Sequence, residues 1–314
     1  MNNCKNIPDL TGKVAIVTGA NSGTGYGISY HLAKHGCKVI MASRNLNKLQ
    51  QAREDLLAEV PGAELDIAEL DITRMTSVQN FAERINSDYR KIDFLANNAG
   101  AGNYKYIQTE DGLEENLTIN YLGHVALTTR LLPVLKNSSR IVNFSSIGYK
   151  KLLKNDLDVD NLMCTDESQY DQMQEYCKAK LCAILYSFRL QQEFEARGID
   201  SKVFACHPGN ARTDLMKKDN TTPFIRFVFG YFLAPLMKVT GMSHSLYDGA
   251  LPAIEALIAD DAQTGKVYAP GNKNELTGDP IAWGVDNTHF NEEDIEKLWI
   301  KTQKILKLSF DEYL

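Results

Sequence analysis

The sequence predicts a single α/β domain with a doubly wound, mostly parallel sheet of seven strands and helices on both faces. Three observations lead to this fold class. Short β-branched runs alternate with longer amphipathic stretches, the pattern of parallel strands joined by crossover helices. A glycine-rich turn directly follows the first run. The chain has 314 residues, 44% of them hydrophobic, which is enough for one large core without a second domain.

The elements can be predicted in chain order. The strands are expected at 13–18, 38–43, 65–70, 92–96, 140–145, 202–206 and 266–269. The first helix should stop at Gly36, Thr73 should cap a helix running through Ile85, and a terminal helix is expected within 291–308. The least regular stretches are 147–168 and 209–222. Both are expected to border the site, because ligands of such sheets bind beyond the carboxyl ends of the strands.

Charge and cysteine content indicate which ligands and which cellular location are expected. The formal net charge is -6 and the basic residues form no block, so nucleic acid is not an expected ligand. The six cysteines show no CxxC spacing and are expected to be reduced thiols. The first residues, MNNCKNIPDLTGK, lack the apolar core of a secretory signal. These features predict a cytoplasmic protein.

The turn TGANSGTG predicts a dinucleotide site. Glycines let the backbone approach a pyrophosphate, whose charge then faces the N-terminus of the following helix. The spacing is GxxxGxG rather than GxGxxG, and an ordinary glycine-rich turn is the alternative. The candidate cofactor residues of this turn are Gly19, Asn21, Ser22, Gly23, Thr24 and Gly25.

The end of the second predicted strand indicates which dinucleotide binds. An acidic residue there would accept hydrogen bonds from the adenosine ribose, but this chain has Ser43 followed by Arg44. A guanidinium suits a 2'-phosphate, so NADP(H) is favoured over NAD(H). The alternative is that Arg44 is a solvated surface charge.

Tyr176 and Lys180 form the candidate acid/base pair. Their spacing of four residues puts a phenol and an ammonium on one face of a helix, where the cation favours the phenolate. The serine pair Ser145 and Ser146 follows the fifth predicted strand. Reduction of a carbonyl develops negative charge on oxygen, which needs a proton donor and a fixed hydrogen bond. Tyr176 would supply the first and Ser146 the second.

Eight motifs in order resemble the short-chain dehydrogenase/reductase family, and within it the retinol dehydrogenase-like branch. They are TGANSGTG, SRN, LDIT, NNAG, NYLGH, RIVNFSS, the Tyr-Lys pair and HPGNARTDL, between about residues 10 and 270. The resemblance implies a Rossmann-type domain with its dinucleotide-binding part at about 10–200. It implies substrate loops at about 147–175 and 210–245 and leaves a C-terminal extension at about 273–314.

The resemblance also implies roles for individual residues. It implies a catalytic tetrad of Asn120, Ser146, Tyr176 and Lys180, in which Asn120 sits inside a helix and helps to hold a relay water. Ser146 is preferred over Ser145 because an apolar and then a small residue follow it. Lys180, helped by the cationic nicotinamide, is expected to lower the pKa of Tyr176 and to bond the nicotinamide ribose. The further cofactor residues are Asp71 at the adenine end, Ile72, Asn98, Ala99 and Gly100 along the groove, and Pro208, Gly209 and Thr213 over the nicotinamide.

Metal sites and a reactive thiol are weaker interpretations. His31 and His35 have helical spacing but no glutamate between them and no third ligand. Asp156, Asp158, Asp160 and Glu167 match positions of a calcium loop whose sixth residue, Asn161, is not glycine. No metal is therefore predicted. Cys177 is expected to be a packing residue rather than a reactive thiol.

The apolar stretch 223–239 is interpreted as a substrate lid that excludes water. Its 17 residues are interrupted by charge, glycine and proline, so a spanning helix is not expected. Peripheral membrane contact and a homodimer interface remain open. Two loop walls favour a bulky, apolar substrate: a retinoid-, steroid- or lipid-like aldehyde, ketone or alcohol. The rival hypothesis is a non-enzymatic NADP(H) sensor on the same fold, which would not need the four polar residues.

Overall fold

The computed structural model describes residues 7–102, 105–210 and 244–314, which form an α/β fold around one eight-stranded sheet. The strands are β1 Val14–Thr18, β2 Lys38–Ser43, β3 Leu65–Glu69, β4 Phe94–Asn97, β5 Arg140–Phe144, β6 Lys202–Cys206, β7 Val267–Pro270 and β8 Pro280–Trp283. The sheet has the order β3-β2-β1-β4-β5-β6-β7-β8, and all neighbours run parallel except β7 and β8. The predicted doubly wound, mostly parallel class is confirmed.

The strand count needs one correction. The sequence predicted seven strands, and the eighth, β8, pairs antiparallel with β7 at the edge of the sheet. Its four residues, PIAW, begin with proline, and none of them is buried. The central strands are apolar almost throughout because helices cover both of their faces. An exposed edge strand lacks that continuous apolar run.

The helices lie on both faces of the sheet and divide the core in two. The α-helices are α1 Gly23–Lys34, α2 Leu46–Glu59, α3 Met75–Asp88, α4 Glu115–Leu117, α5 Gly123–Arg130, α6 Leu132–Leu135, α7 Gly148–Lys151, α8 Gln172–Ala196, α9 Leu246–Ile258 and α10 Glu292–Leu306. One core cluster includes side chains of α3, α5, α8 and α10, and the other includes side chains of α1, α2 and α9. A π-helical turn spans Thr118–Leu122, and short 3₁₀ helices span Glu167–Gln169 and Phe310–Tyr313. No helix in the described ranges is long and apolar enough to cross a membrane.

Two predicted helix ends can be compared with the fold. Helix α1 ends at Lys34, and Gly36 follows with a φ of +88°, a conformation that favours glycine. The prediction for Thr73 is wrong, because α3 begins at Met75 with Arg74 at its N-cap and ends at Asp88. The Thr73 hydroxyl instead donates to Asp71 Oδ1 over 2.7 Å. A local turn with an aspartate thus takes up the side chain expected to cap the helix.

The C-terminal segment packs on the main core. Helix α10 starts with a capping box between Asn291 and Asp294. Trp299 stacks on Tyr186 of α8 with 6.1 Å between ring centroids, and the hydroxyls of Thr302 and Tyr121 lie 2.7 Å apart. The terminal helix predicted within 291–308 is therefore present, and it covers α8, the helix that carries Tyr176 and Lys180.

Candidate active site

The glycine turn is fixed to the end of β4 by Thr18, the last residue of β1. The Thr18 hydroxyl accepts hydrogen bonds from the backbone N–H groups of Asn98 and Ala99, both at 2.9 Å, and the Asn98 side chain donates to the Thr18 carbonyl over 2.8 Å. Strand β1 lies between β2 and β4, the point at which the strand order reverses. This is where a doubly wound sheet opens a crevice for a ligand.

Glycine is required at this turn for two reasons. Gly19 and Gly23 have φ values of +67° and +56°, which other residues rarely adopt. Gly25 is confined by space instead, because a β-carbon there would lie 2.4 Å from the Gly19 carbonyl oxygen and 2.5 Å from Asn98 Nδ2. The turn thus leaves a bare backbone surface before the N-terminus of α1, which is suited to a pyrophosphate.

A groove of about 870 Å³ runs along this edge. Most of the cofactor residues predicted from the sequence line it: Gly19, Asn21, Ser22, Gly23, Thr24, Arg44, Asp71, Ile72, Asn98, Ala99 and Gly100. Gly25 does not line the groove but packs behind the turn. Lys48 and Gln51 of α2 also line it and were missed.

The far end of the groove is polar and carries two exposed cations, Arg44 and Lys48. The Ser43 hydroxyl is already engaged within the protein, because it donates to Asn21 Oδ1 over 2.7 Å. The Asp71 carboxylate is oriented by the Thr73 backbone N–H at 3.0 Å and by the Thr73 hydroxyl. Positions 43 and 44 carry no carboxylate, although Asp55 of α2 also lines the groove.

The candidate acid/base residues meet at the end of β5. The Ser146 side chain hydrogen-bonds the Tyr176 phenol, and Lys180 Nζ lies 5.7 Å from the centroid of the Tyr176 ring. Lys180 is held in place because its Nζ donates to the Phe144 carbonyl over 3.1 Å. The Ser145 hydroxyl points elsewhere and donates to the Lys180 carbonyl over 2.7 Å. The structure thus brings Ser146, not Ser145, to the tyrosine.

Burial changes the pKa values of both helical residues. It lowers the pKa of Lys180 to about 8, because the charged ammonium is poorly solvated at this depth. It also raises the pKa of Tyr176, and the hydrogen bond from Ser146 only partly opposes this. The expected lowering of the tyrosine pKa is therefore not produced by the chain alone. That expectation combined the charge of Lys180 with the positive charge of an oxidised nicotinamide, and the second charge belongs to the cofactor rather than to the chain.

Asn120 sits in the π-helical turn rather than in a regular helix interior. Its Nδ2 donates to the Ala101 carbonyl and to Asn116 Oδ1, both at 2.7 Å. Its Oδ1 is buried, and no described residue hydrogen-bonds it. A β-carbon on Gly100 would stand 2.8 Å from this oxygen and 3.2 Å from Lys180 Nζ, so Gly100 leaves a space that both polar atoms face. An unpaired buried acceptor beside an ammonium suits a bridging water.

His124, within the NYLGH motif, was not singled out from the sequence. Its Nε2 lies 3.1 Å from the Thr18 hydroxyl that holds Asn98 and Ala99. Burial, and secondarily the charge of Lys180, lower the pKa of His124 to about 3. The imidazole therefore stays neutral at ordinary pH and orients Thr18 as a hydrogen-bond partner.

The residues expected over the nicotinamide are only partly described. Pro208 and Gly209 follow β6 at the same edge of the sheet and do not line the groove. Gly209 has a φ of +65°, and a β-carbon there would lie 2.5 Å from the Leu276 carbonyl oxygen. Thr213, the stretch 223–239 and most of the loop 210–245 lie outside the described residues, so the lid interpretation stays a prediction.

The residues of the weaker interpretations have other partners. His31 Nε2 lies 3.1 Å from the Tyr247 carbonyl, and His35 Nδ1 lies 2.8 Å from the His31 carbonyl. Asp158 accepts two hydrogen bonds from Asn161. Within the described ranges, no three metal-ligating side chains cluster. Cys177 is buried with its pKa raised to about 11, and it packs where a β-carbon on Gly148 would be 3.0 Å from its sulfur.

Known proteins resemble this chain over nearly its full length. The family model for short chain dehydrogenase matches residues 13–154. Retinol dehydrogenase 13 of Mus musculus is 30% identical over 312 residues, covering 98% of this chain and 87% of that protein. Retinol dehydrogenase 11 of Mus musculus is 32% identical over 296 residues, covering 89% of this chain and 91% of that protein. A solved structure of an uncharacterised protein from Mycobacterium Paratuberculosis superimposes with a TM-score of 0.77 at 26% identity, with 98% of each chain covered.

Proposed function

The chain belongs to the short-chain dehydrogenase/reductase family of NAD(P)-dependent oxidoreductases acting on CH–OH or C=O groups, and from this premise we propose a specific reaction. The protein uses NADP(H) to interconvert a bulky, apolar alcohol with its aldehyde or ketone. One observation carries the proposal. The groove behind the glycine turn has two cations at one end, and at Gly100 it adjoins the cluster of Lys180, Tyr176 and Ser146.

The preference for NADP(H) rests on Arg44 and Lys48. Both are exposed, and both line the end of the groove next to β2, where the adenosine ribose of a dinucleotide would lie. A guanidinium binds a phosphate through paired hydrogen bonds and an ammonium adds a point charge. Together they would stabilise a 2'-phosphate, which NAD(H) lacks.

The chemistry proposed for the cluster is a proton transfer beside a hydride transfer. When bound, the nicotinamide supplies or accepts the hydride. The Tyr176 hydroxyl donates a proton to the carbonyl oxygen in the reducing direction, and in the oxidising direction the Tyr176 phenolate removes the proton of the alcohol. Ser146 fixes that oxygen by a hydrogen bond, which is most valuable where negative charge develops. Lys180, whose pKa lies at about 8, and Asn120 would return the proton to Tyr176 through a water held between them.

The proposed substrate class rests on the surface beside this cluster. Leu152 is 49% exposed and Met173 is 40% exposed, and these large apolar side chains belong to the segments that follow Ser146 and precede Tyr176. Gln174 links the two segments, since its side chain donates to the Leu152 carbonyl and accepts from the Lys154 backbone N–H. An apolar rim of this kind favours a large apolar substrate. The relatives named retinol dehydrogenases are consistent with a retinoid-, steroid- or lipid-like compound.

The proposal can be tested by assaying a panel of retinoid, steroid and lipid aldehydes and ketones with NADPH and with NADH. We expect oxidation of NADPH by at least one bulky apolar member and much slower oxidation of NADH. Replacing Arg44 with alanine should raise the KM for NADPH about tenfold or more and leave that for NADH unchanged, because only the 2'-phosphate loses a partner. Arg84→Ala, at an exposed arginine in a different groove, is the control. Tight NADPH binding without turnover across the panel would favour a sensor.

We also propose that the protein is cytoplasmic. The five described cysteines are free thiols, as is usual in a reducing compartment. Fractionation of cells that produce the full chain should recover it with the cytosol. Recovery with the membrane pellet would contradict this location and would support peripheral contact.

A further inference from the structure

Glu275 is a buried carboxylate with two partners from distant parts of the chain. It is 5% exposed and lies in the turn between β7 and β8. One carboxylate oxygen accepts a hydrogen bond from the ammonium of Lys150, and the other lies 3.0 Å from Nε2 of His207. His207 is fully buried at the end of β6. Burying a carboxylate costs free energy unless the carboxylate is paired and hydrogen-bonded. These contacts therefore hold Glu275, Lys150 and His207 together.

The tautomer of His207 follows from its second contact. The Gly209 backbone N–H donates to His207 Nδ1 over 3.2 Å, so Nδ1 is the acceptor and Nε2 carries the proton. The imidazole therefore donates to Glu275 through Nε2. Burial lowers the pKa of His207, which keeps the ring in this neutral form. For Glu275, burial raises the pKa, but hydrogen bonds from His207 and Lys150 outweigh it and hold the carboxyl ionised.

The backbone of Glu275 adopts a strained conformation. Its φ is +55°, in the left-handed region that favours glycine or asparagine. The surrounding turn enforces this conformation, because the Glu275 N–H donates to the Asn272 carbonyl and the Leu276 N–H donates to Asn272 Oδ1, both at 2.8 Å. Such strain persists where the neighbouring structure determines the conformation, and it clusters at functional sites.

The three partners connect the loops that follow β5, β6 and β7. Lys150 lies in α7, four residues after Ser146, whose hydroxyl accepts from the Gly148 N–H at 3.2 Å. On the other side, the Asn210 N–H donates to the Leu276 carbonyl over 3.0 Å. All three loops leave the same edge of the sheet. The Glu275 side chain is thus an internal brace between the loop of Ser146 and the loop of Pro208 and Gly209.

We propose that Glu275 is a positioning residue that, through Lys150 and His207, holds the Ser146 loop and the Pro208–Gly209 segment in register at the nicotinamide end of the cofactor. This inference rests on the proposed function, since it assigns that end of the cofactor to these loops. It gives Glu275 no contact with the reacting atoms.

The substitution Glu275→Gln tests the brace with little change in volume. A glutamine has one acceptor oxygen for two donors, so either Lys150 or His207 loses its partner. If the imidazole switches tautomer to accept from the glutamine amide, the Gly209 N–H loses its own acceptor. The loops then shift, and misplacement of reacting groups by about 1 Å can cost on the order of 100-fold in rate.

The measurements compare binding at the nicotinamide end of the cofactor with binding at its adenosine end. In Glu275→Gln, we expect kcat and NADPH affinity to fall by roughly 10–100-fold, while affinity for adenosine 2',5'-bisphosphate stays within about twofold. The fragment lacks the nicotinamide and occupies only the end near Arg44. Lys150→Met should show the same pattern more weakly, because the contact between Glu275 and His207 survives. Lys150→Arg keeps a charged donor for Glu275 and should retain most of the activity. Glu293→Gln, at an exposed ion pair, is the control.

Each result has a distinct meaning. Failure of the wild-type protein to bind NADPH would refute the cofactor proposal and remove the basis for the brace. If the wild type binds NADPH and both Glu275→Gln and Lys150→Met behave like it, only the brace is refuted. Equal loss of NADPH and fragment binding would mean general destabilisation and would also refute the positioning role. If Glu275→Gln does not fold, the comparison of Lys150→Met with Lys150→Arg decides the question.

Discussion

At the scale of single residues, burial shifts the pKa values of the two candidate acid/base residues in opposite directions. Lys180 is 4% exposed and its pKa falls to about 8, while burial raises that of Tyr176. A protonated phenol is the form that gives a proton to a carbonyl. A lysine whose pKa is about 8 can both give and take a proton near neutral pH. These shifts support the proton transfer proposed for the pair.

Replacing Tyr176 with phenylalanine should abolish turnover and keep cofactor binding. The ring remains and only the proton donor is lost, so kcat should fall by about 10²–10⁴-fold with little change in the Kd for NADPH. Steady-state kinetics and a fluorescence titration with NADPH measure the two quantities. Tyr89→Phe, at the far edge of the sheet, is the matched control. Activity retained in Tyr176→Phe would remove the assigned acid.

Lys180 should make stability depend on pH. Its pKa is about 8 in the fold and 10.5 in its ordinary state, so above pH 8 the unfolded chain binds more protons than the folded one. The contribution of Lys180 to stability should therefore rise between about pH 8 and 10, whereas below pH 8 the full cost of the buried ammonium remains.

The substitution Lys180→Met removes that cost. At pH 7 it should stabilise the fold by roughly 1–3 kcal/mol, and the gain should shrink as the pH rises towards 10. Urea unfolding of both proteins at pH 7 and pH 9.5 measures this. An equal difference at the two pH values would show that the lysine does not titrate in this range.

At the scale of elements, two glycines of α1 that are two residues apart have different structural roles. A β-carbon on Gly25 would strike the Gly19 carbonyl within the cofactor turn, at 2.4 Å. A β-carbon on Gly27 would strike the Leu246 carbonyl at the start of α9, also at 2.4 Å. One glycine shapes the turn, and the other allows two helices to touch.

Alanine at these two positions should therefore separate binding from packing. Gly25→Ala should weaken NADPH binding by roughly tenfold or more, because the turn must move away from the pyrophosphate. Gly27→Ala should lower the free energy of unfolding by about 1–3 kcal/mol and leave binding nearly unchanged. Calorimetric titration and urea unfolding give both numbers. Similar effects of the two variants on binding would contradict this division.

The elements also show what a single sequence can reveal. The central strands were found because helices cover both of their faces, so their apolar runs are continuous. Strand β8 was missed because its residues are not buried, and Thr73 because its hydroxyl joins a turn with Asp71. The ends of the strands bring the motif residues together, which explains why ordered motifs predicted most of the groove.

At the scale of the whole molecule, the C-terminal segment belongs to the same core as the candidate site. Trp299 packs on Tyr186 of α8, and Arg189 of α8 lies 5.0 Å from the Trp299 ring. The sequence predicted the helix but not the surface that it covers. Partners separated by more than a hundred residues, such as Tyr121 and Thr302, leave no local pattern.

Trp299→Ala should destabilise the molecule without altering the chemistry. Loss of a buried indole costs about 3–5 kcal/mol, so thermal unfolding should occur at a clearly lower temperature. The KM for NADPH should be unchanged at temperatures where the variant is folded. Ile300→Ala, at the neighbouring side chain that is 58% exposed, should have little effect. A Tm equal to that of wild type in Trp299→Ala would show that α10 does not support the core.

Glu275 could not be identified from the sequence for the same reason. Its partners lie 125 and 68 residues earlier, and a lone glutamate in a polar turn gives no sign of burial. Its left-handed backbone is equally invisible in the sequence. Motifs identify residues that contact a ligand, whereas residues that hold loops in place are found only once the fold is known.

The separation between Lys150 and Glu275 also has a consequence in time. A chain emerging from the ribosome exposes its cofactor turn and its Tyr-Lys pair long before residue 275 appears. Until β7 adds to the sheet, no carboxylate can join the loops after β5 and β6. Contacts this distant in sequence form late and slow the search for the native state. The order of synthesis therefore supplies the residues that line the groove first and Glu275, which joins the loops at its other end, last.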